Sequence, residues 1–210
     1  MTDRQIHIVD DDEPFRDSLR LMLETLGFPV RDYSSGRSFV EAVSAAPAGC
    51  ALVDVNMPEL DGLALQELLN SRGISIPVII MTGAANVPIA VRAMKAGAVD
   101  FIEKPFELGT VLEAIRAAFE RTTAPADEDP RVVELRGRLA DLTPREREIL
   151  EAVVAGNPTK VIAYDLDISP RTVHVHRARI GDKLGITGLP NLIRLALAAG
   201  VAGHASTRKP

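Results

Sequence analysis

The 210-residue sequence contains no tryptophan, only one cysteine, and few aromatic residues, which make up 4% of the chain. The single cysteine, Cys50, excludes a disulfide within the chain and is typical of proteins from a reducing compartment. No stretch approaches the roughly 18 consecutive apolar residues of a membrane-spanning helix, and the first residues contain no apolar signal core. We therefore expect a cytoplasmic protein with no membrane partner.

Basic residues are scarce in the first part of the chain, and acidic residues are scarce in the last part. Residues 1–121 contain 18 acidic and 11 basic side chains, a balance of −7. Residues 122–130 contain three acidic and no basic side chains, and residues 131–210 contain 8 acidic and 13 basic side chains, a balance of +5. This asymmetry predicts two domains with different partners, of which the second suits a polyanion.

Short apolar runs alternate with helical patterns through the first 121 residues. The runs 6–9, 30–33, 50–54, 78–81 and 100–102 predict strands, and the segments that follow them carry apolar residues at helical spacing. Gly27 is expected to end the first helix and Ser35 to cap the second. Five strand–helix units with short connections predict a doubly wound, five-stranded parallel sheet with helices on both faces.

Polar side chains follow four of these strands at their carboxyl ends. Asp10 and Asp11 follow the first strand, Asp54 ends the third, Thr82 follows the fourth, and Lys104 follows the fifth. Because ligands bind beyond the carboxyl ends of parallel strands, these side chains should converge on one site. A carboxylate can attack a phosphoryl group when a divalent cation bridges the two, and carboxylates suit Mg²⁺. The pattern predicts Asp54 as phosphoryl acceptor, with Lys104 and Thr82 meeting phosphoryl oxygens.

The chain after residue 121 changes character. Residues 122–130 are acidic and contain two prolines, which predicts a solvated linker, and residues 131–141 follow as a linker helix. Residues 142–203 show helical patterns and no strand signal. We expect residues 204–210 to form a disordered tail.

Capping residues divide the 142–203 region into four helices. Thr143, followed by Pro144 and Glu146, predicts a capping box, while Thr159 and Ser169 are expected to cap the second and third helices. The second and third helices are short and joined by a tight turn, and the third is basic. The pattern predicts a helix-turn-helix in an all-α, four-helix domain.

The third helix of this region has an apolar face and a basic face. Val173, Ile180 and Leu184 share one face and should pack against the other helices. A basic helix face alone is as often a solvated surface as a DNA contact, but the turn, the caps and the +5 balance favour DNA. The side chains expected to contact phosphates are Lys160, Arg171, Arg177, Arg179 and Lys183.

Five motifs of the first domain resemble the flavodoxin-like receiver domain of bacterial two-component response regulators. They are Ile8-Val9-Asp10-Asp11-Asp12-Glu13-Pro14, Asp54-Val55-Asn56-Met57-Pro58, Met81-Thr82-Gly83, Met94-Lys95-Ala96-Gly97-Ala98 and Phe101-Ile102-Glu103-Lys104-Pro105-Phe106. The resemblance implies that a sensor histidine kinase phosphorylates Asp54.

The same resemblance assigns roles around Asp54. It implies Mg²⁺ on Asp11, on Asp54 and on the backbone carbonyl of Asn56, with Asp10 nearby. Lys104, before a cis Pro105, would pair with the phosphate, and Thr82 and Phe101 would form the switch pair. The face formed by the fourth helix, the fifth strand and the fifth helix, with Val91, Lys95 and Asp100, would make a phosphorylation-dependent homodimer.

Residues 142–200 resemble the LuxR-type helix-turn-helix. The motif residues include Leu142-Thr143-Pro144-Arg145-Glu146, Gly156, Lys160, Ile168-Ser169, Arg171-Thr172-Val173, His176 and Lys183-Leu184-Gly185. With the receiver, the arrangement is that of NarL/FixJ response regulators and is most similar to the FixJ subgroup. The resemblance places Ser169 and Thr172 in the DNA-binding region and implies that His174, Val175 and Ala178 read bases. Many relatives carry lysine at 174 and 178, so the operator sequence stays open.

These observations predict a DNA-binding transcriptional response regulator rather than an enzyme, with promoter DNA as partner and RNA polymerase left open as a further one. A phosphatase using Asp54 as nucleophile would usually carry an acid two residues later, where Asn56 stands. A phosphorelay or protein-interaction module is the remaining alternative, with a helical domain that does not bind DNA. A steep fall of DNA affinity with salt would argue against that alternative.

Overall fold

The computed structural model describes residues 4–43, 49–83, 87–123 and 130–203. Contacts divide the chain into two compact units, the first made of residues 1–84 and 96–125 and the second of residues 85–95 and 126–210. The predicted tail 204–210 and residues 124–129 of the predicted linker lie outside the described residues.

The first 123 residues alternate strands and helices as the apolar pattern predicts. The strands are β1 (Gln5–Val9), β2 (Val30–Tyr33), β3 (Gly49–Asp54), β4 (Val78–Thr82) and β5 (Asp100–Glu103). The helices are α1 (Glu13–Thr25), α2 (Gly36–Val43), α3 (Gly62–Ser71), α4 (Val87–Lys95) and α5 (Leu108–Thr123). All strand pairs are parallel, in the order β2-β1-β3-β4-β5. The predicted doubly wound sheet is therefore confirmed.

The register of the sheet brings its polar residues to one edge. Val9 pairs with Val53, so Asp10 leaves β1 level with Asp54 on β3. Asp54 pairs with Met81, the residue before Thr82. The middle of the strands is buried in a core that includes residues of α1 and α5. A rigid, buried sheet thus presents polar groups from separate strands at its carboxyl edge.

Local capping signals fix where the first helices begin and end. The Ser35 hydroxyl accepts a hydrogen bond from the backbone N–H of Ser38 at 3.2 Å, as expected of a cap for α2. Gly27 adopts a φ of 83° just after α1, a conformation that glycine adopts without steric cost. Both predictions are confirmed. Helix α5 continues to Thr123, so two residues of the predicted linker are helical.

Residues 130–198 contain helices α6 (Pro130–Arg138), α7 (Pro144–Val154), α8 (Thr159–Asp165), α9 (Pro170–Leu184) and α10 (Leu189–Ala198), with a 3-10 turn at Leu139–Asp141. Helices α7 to α10 are the four predicted helices, and α8 and α9 form the helix-turn-helix. Val173, Ile180 and Leu184 are buried as predicted from their spacing. Asp167, in the turn between α8 and α9, has a φ of 52°, which aspartate tolerates better than most residues.

The caps of the second unit follow the sequence with one exception. The Thr143–Glu146 capping box is present, and Ser169 accepts a hydrogen bond from Thr172 N at 3.0 Å. The predicted cap at Thr159 is wrong, because the chain enters the helix one residue earlier. The carbonyl of Pro158 accepts the hydrogen bonds from Val161 N and Ile162 N that open α8, so Thr159 is already helical.

Candidate functional site

One lysine joins two buried carboxylates at the carboxyl edge of the sheet. Lys104 Nζ lies 2.6 Å from Asp10 Oδ2 and 2.6 Å from Asp54 Oδ1. The Asp10 residue is 1% exposed and Asp54 is 5% exposed. Three residues separated by 44 and 50 positions in sequence therefore meet at one point, as predicted from their places at strand ends.

Backbone contacts orient both carboxylates. Asp54 Oδ2 accepts a hydrogen bond from Asn56 N at 2.6 Å, and Asp10 Oδ1 accepts one from Asp12 N at 3.0 Å. Lys104 N donates to Thr82 O at 2.7 Å, which ties the loop after β5 to the end of β4. The Lys104–Pro105 peptide bond is cis, as the family resemblance implies. Each carboxylate is thus fixed by the turn that follows its own strand.

Burial and pairing shift the ionisation of this cluster. Burial raises the pKa of Asp10, although the hydrogen bond from Lys104 partly opposes the rise. For Lys104, burial favours a lower pKa, but the hydrogen bonds to Asp10 and Asp54 outweigh it and raise the pKa. Lys104 therefore remains an ammonium group at neutral pH, available to pair with an anionic ligand at the Asp54 carboxylate.

Thr82 and Phe101 lie on neighbouring strands and on the same face of the sheet. Phe101 pairs with Ile80, two residues before Thr82 on β4, and residues two apart on a strand share a face. Both residues are buried, Thr82 completely. Phe101 on β5 is therefore a diagonal neighbour of Thr82, the residue that ends β4, on the same face of the sheet.

Several oxygen groups near Asp54 are candidate metal ligands. Asp11 is exposed beside the buried pair, and the carbonyl of Asn56 follows Asp54 in the chain. No three carboxylate, imidazole or thiol groups among the described residues form a ready metal site. The donors nonetheless match Mg²⁺ in kind, because it prefers carboxylates and backbone oxygens. Asp10 and Asp54 also place two carboxyl groups against the single ammonium of Lys104.

Three further residues shape the site, and their roles were not predicted from the sequence. Arg16, buried in α1, donates from Nη1 to the carbonyl of Asp10 at 2.7 Å. Gly62 leaves no room for a side chain, since a Cβ there would lie 2.3 Å from Asp54 O. Phe15 places its ring centroid 3.9 Å from Lys104 Nζ. Gly62 lies in the turn after Asp54, and Phe15 lies in the first turn of α1, where its spacing also suits an ordinary apolar residue.

The outer surface of α9 carries five of the ten predicted DNA-binding residues. The side chains exposed there are Arg171, His174, Val175, Ala178 and Arg179, and Lys160 is exposed on α8. Val175, although apolar, is 43% exposed. The three expected base-reading residues therefore face solvent together.

The remaining predicted DNA-binding residues take part in contacts within the domain. The hydroxyl groups of Ser169 and Thr172 lie 2.8 Å apart in the first turn of α9, where Ser169 is the cap. Arg177 is half-buried, and burial lowers its pKa. Lys183 Nζ donates to Glu146 Oε2 at 2.7 Å and to Asp141 O at 3.1 Å. The structure thus places Lys183 against the start of α7.

Glu146 is the buried centre of that contact. Its side chain accepts hydrogen bonds from Lys183 and from the N–H and hydroxyl groups of Thr143, both within 2.9 Å. These interactions, the Lys183 bond first, lower the pKa of Glu146 to about 2. One carboxylate therefore caps α7 and anchors the end of α9.

Comparison with protein families identifies both halves of the chain. The response regulator receiver domain matches residues 6–116, and the luxR family of bacterial regulatory proteins matches residues 140–196. The chain belongs to the response regulators that join a receiver domain to a luxR-type DNA-binding domain. It is a response regulator of the kind in which phosphorylation controls transcription.

FixJ regulators are among the similar proteins. Transcriptional regulatory protein FixJ of Rhizobium meliloti (strain 1021) is 49% identical over 200 residues, which cover 95% of this chain and 98% of that protein. FixJ of Azorhizobium caulinodans is 45% identical over 197 residues, covering 94% and 93%. The crystal structure of full-length FixJ from B. japonicum has a TM-score of 0.56 and 40% identity, covering 95% of this chain and 98% of that one. No helix among the residues described here is long and apolar enough to cross a membrane.

Proposed function

We propose that Asp54 accepts a phosphoryl group from a partner histidine kinase and that this modification controls DNA binding by the second domain. The observation that carries the proposal is the Lys104 ammonium held 2.6 Å from both Asp10 and Asp54. A cation fixed beside a buried carboxylate at the edge of a parallel sheet suits a phosphorylated aspartate. On this proposal the protein is a regulator in the cytoplasm and not an enzyme.

Each residue around Asp54 has its own role in phosphoryl transfer. A carboxylate oxygen of Asp54 forms the new bond to phosphorus while the bond from phosphorus to the donor histidine breaks. Lys104 then pairs with a phosphoryl oxygen, and the hydroxyl of Thr82 donates to another. Asp11, Asp54 and the carbonyl of Asn56, with Asp10 nearby, would hold Mg²⁺, which supplies charge compensation when bound. Lys104 and Asp10 already lie beside Asp54, so these two side chains need little rearrangement to begin the transfer.

Phosphorylation adds about −1.5 to −2 charges at the strand ends. We expect Thr82 to move toward the phosphoryl group and Phe101 to turn into the space that it leaves. This movement alters the face of the receiver to which β5 and α5 contribute, and which includes Asp100. The altered face forms a homodimer.

The dimer brings two helix-turn-helix domains to double-stranded promoter DNA. Half-sites are expected about one helical turn apart or a multiple of it, since each domain inserts one recognition helix. His174, Val175 and Ala178 meet base edges, while Lys160, Arg171 and Arg179 meet phosphates. Arg177 would contribute after a small change of its half-buried side chain. RNA polymerase is a further partner of such a promoter-bound regulator.

Intact mass spectrometry tests the acceptor directly. The protein is incubated with Mg²⁺ and a small-molecule phosphoryl donor, beside Asp54→Asn and the control Asp61→Asn. Asp61 caps α3 through a hydrogen bond from Ala64 N, and asparagine can keep that bond. We expect one phosphate adduct on the wild type and on the control, and none on Asp54→Asn. An adduct on Asp54→Asn would place the acceptor elsewhere.

The phosphorylated species then tests the output of the switch. Its mass in solution should double relative to the unmodified protein, and its affinity for promoter DNA should rise. A dimer that binds no DNA at low salt would favour a phosphorelay or protein-interaction module instead.

A further inference from the structure

The Lys104 ammonium rests on an aromatic ring as well as on two carboxylates. Lys104 Nζ lies 3.9 Å from the centroid of the Phe15 ring, within the range of a cation–π interaction. The same nitrogen donates to Asp10 and Asp54. An ammonium group has three N–H bonds, so the carboxylates take two directions and the ring covers a third side.

The Phe15 ring is itself held in place. It meets the ring of Phe106 edge to face, with centroids 5.8 Å apart and planes at 77°. Both rings pack against the core on the α1 and α5 side of the sheet. The backbone of Phe15 is fixed because its N–H donates to the carboxylate of Asp12 at 3.1 Å. The ring is therefore a rigid surface and not a loose side chain that happens to lie near the lysine.

We propose that Phe15 is a positioning residue for phosphoryl transfer, which acts by holding the Lys104 ammonium at the Asp54 carboxylate. This inference rests on the proposed function of Asp54. Lysine carries its charge on a flexible four-carbon stem, and it loses one carboxylate oxygen as partner when Asp54 becomes bonded to phosphorus. The attraction of the ring face does not depend on that oxygen. Phe15 keeps the ammonium within reach of the phosphoryl oxygens during and after the transfer.

The proposal separates the electrostatic effect of the ring from its apolar packing. Phe15→Leu keeps an apolar side chain over the core but removes the negative ring face. A partly shielded cation–π interaction corresponds to a loss of about three- to tenfold in the rate of Asp54 phosphorylation. Phe15→Tyr retains the ring face and should keep a rate within about twofold of the wild type.

Fluorinated phenylalanines give the sharper test. Phenylalanine with one, two or three ring fluorines at position 15 keeps nearly the same size while the negative ring face weakens step by step. We expect the phosphorylation rate, measured with Mg²⁺ and a small-molecule donor, to fall with each added fluorine. The matched control is the same series at Phe28, whose ring packs at 6.5 Å against Phe119. A rate that is equal across the Phe15 series would overturn the proposal, whatever the Phe15→Leu variant does.

A second measurement does not require phosphorylation. The ring should shift the NMR signals of the Lys104 ε-methylene protons upfield and restrict the motion of that methylene group. We expect Phe15→Leu to abolish the shift and to increase the motion, with the melting temperature of the first domain as a check on folding. An unchanged methylene signal would contradict the proposal. If the wild type accepts no phosphate on Asp54, the proposed function fails, and the NMR result still decides whether Phe15 positions Lys104.

Discussion

Gly62 lies so close to Asp54 that a Cβ atom at position 62 would stand 2.3 Å from the backbone carbonyl oxygen of Asp54. Gly62 N also donates to Val55 O at 3.0 Å, so the loop after β3 folds back onto the strand that carries the acceptor. The close approach is possible only without a side chain. The acceptor residue and the start of α3 are therefore parts of one rigid turn.

Gly62→Ala should disturb this turn. Because the contacted atom is backbone, the strand end must shift, and we expect the free energy of unfolding to fall by about 1–3 kcal/mol. Phosphorylation of Asp54 should slow as well. Gly109→Ala is the matched control, because a Cβ at position 109 in α5 meets nothing within 4 Å. Urea denaturation and intact mass measure the two effects; a Gly62→Ala protein as stable as Gly109→Ala would contradict the expectation.

Lys183 should contribute to stability more than to DNA binding. Lys183→Met removes the ammonium partner of Glu146, whose side chain is 5% exposed, while the lysine itself is 37% exposed. Allowing for solvent screening, we expect a loss of about 1–2 kcal/mol in the free energy of unfolding of the second domain. Lys160→Met on α8 is the control, with a change within about 0.5 kcal/mol. Unchanged stability with weaker DNA binding would show instead that Lys183 contacts phosphate.

His7 should make the first domain sensitive to mild acid. Burial, and secondarily the charge of Arg31, lowers the pKa of His7 from 6.5 to about 4. Between pH 6.5 and pH 4, His7 is therefore protonated in the unfolded chain but not in the folded chain. The free energy of unfolding consequently falls as the pH drops through this range. The loss should reach at most about 3 kcal/mol and should disappear in His7→Leu.

Tyrosine fluorescence offers a convenient measurement, because the chain has no tryptophan and only two tyrosines. The hydroxyl group of Tyr33 lies 3.2 Å from His7 Nδ1. In a Tyr164→Phe background, Tyr33 is the remaining tyrosine, and its fluorescence therefore reports on the first domain. His174→Leu, at an exposed position on α9, should leave the acid dependence unchanged. A slope that survives in His7→Leu would assign the acid sensitivity to other groups.

Glu146 should protect the second domain at lower pH. Its pKa is lowered to about 2 in the folded protein, against 4.5 ordinarily. Its contribution to stability is complete above pH 4.5 and is lost as the pH falls through 4.5 toward 2. Glu146→Gln should remove this part of the acid dependence, as followed by helical circular dichroism. A steeper loss in the variant than in the wild type would contradict the assignment.

Much of the fold could be predicted because its signals are local. Alternating apolar runs and helical patterns predict the parallel sheet, and the strand ends predict that Asp10, Asp54 and Lys104 meet. Caps such as Thr143 and Ser169 depend on neighbours within three residues, so they too can be read from the sequence. The Thr159 cap failed because Pro158 carries no side-chain acceptor and yet opens the helix with its backbone carbonyl.

The contacts that escaped prediction join distant parts of the chain. Lys183 looks like a phosphate contact because it ends a basic helix, and no pattern shows that Glu146, 37 residues earlier, folds beneath it. Phe15 fits the apolar stripe of α1, and only the folded chain brings Lys104 onto its ring. Arg16 gave no signal, because its shorter hydrogen bond goes to the backbone carbonyl of Asp10, and its other partner, Asp32, lies 16 residues away. Side chains that serve long-range contacts share composition with ordinary core and surface residues.

Several basic side chains of the second domain donate hydrogen bonds to backbone carbonyl groups of the same domain. Arg145 donates to Leu166 O, Arg147 to Leu139 O, and Lys183 to Asp141 O. These side chains are engaged in contacts within the domain. They contribute to the long-range field that draws DNA toward the domain, and hence to the speed of encounter. On the proposed function, direct contact with DNA falls instead to the exposed residues of α9, so the approach of DNA and its direct contact would depend on different groups of side chains.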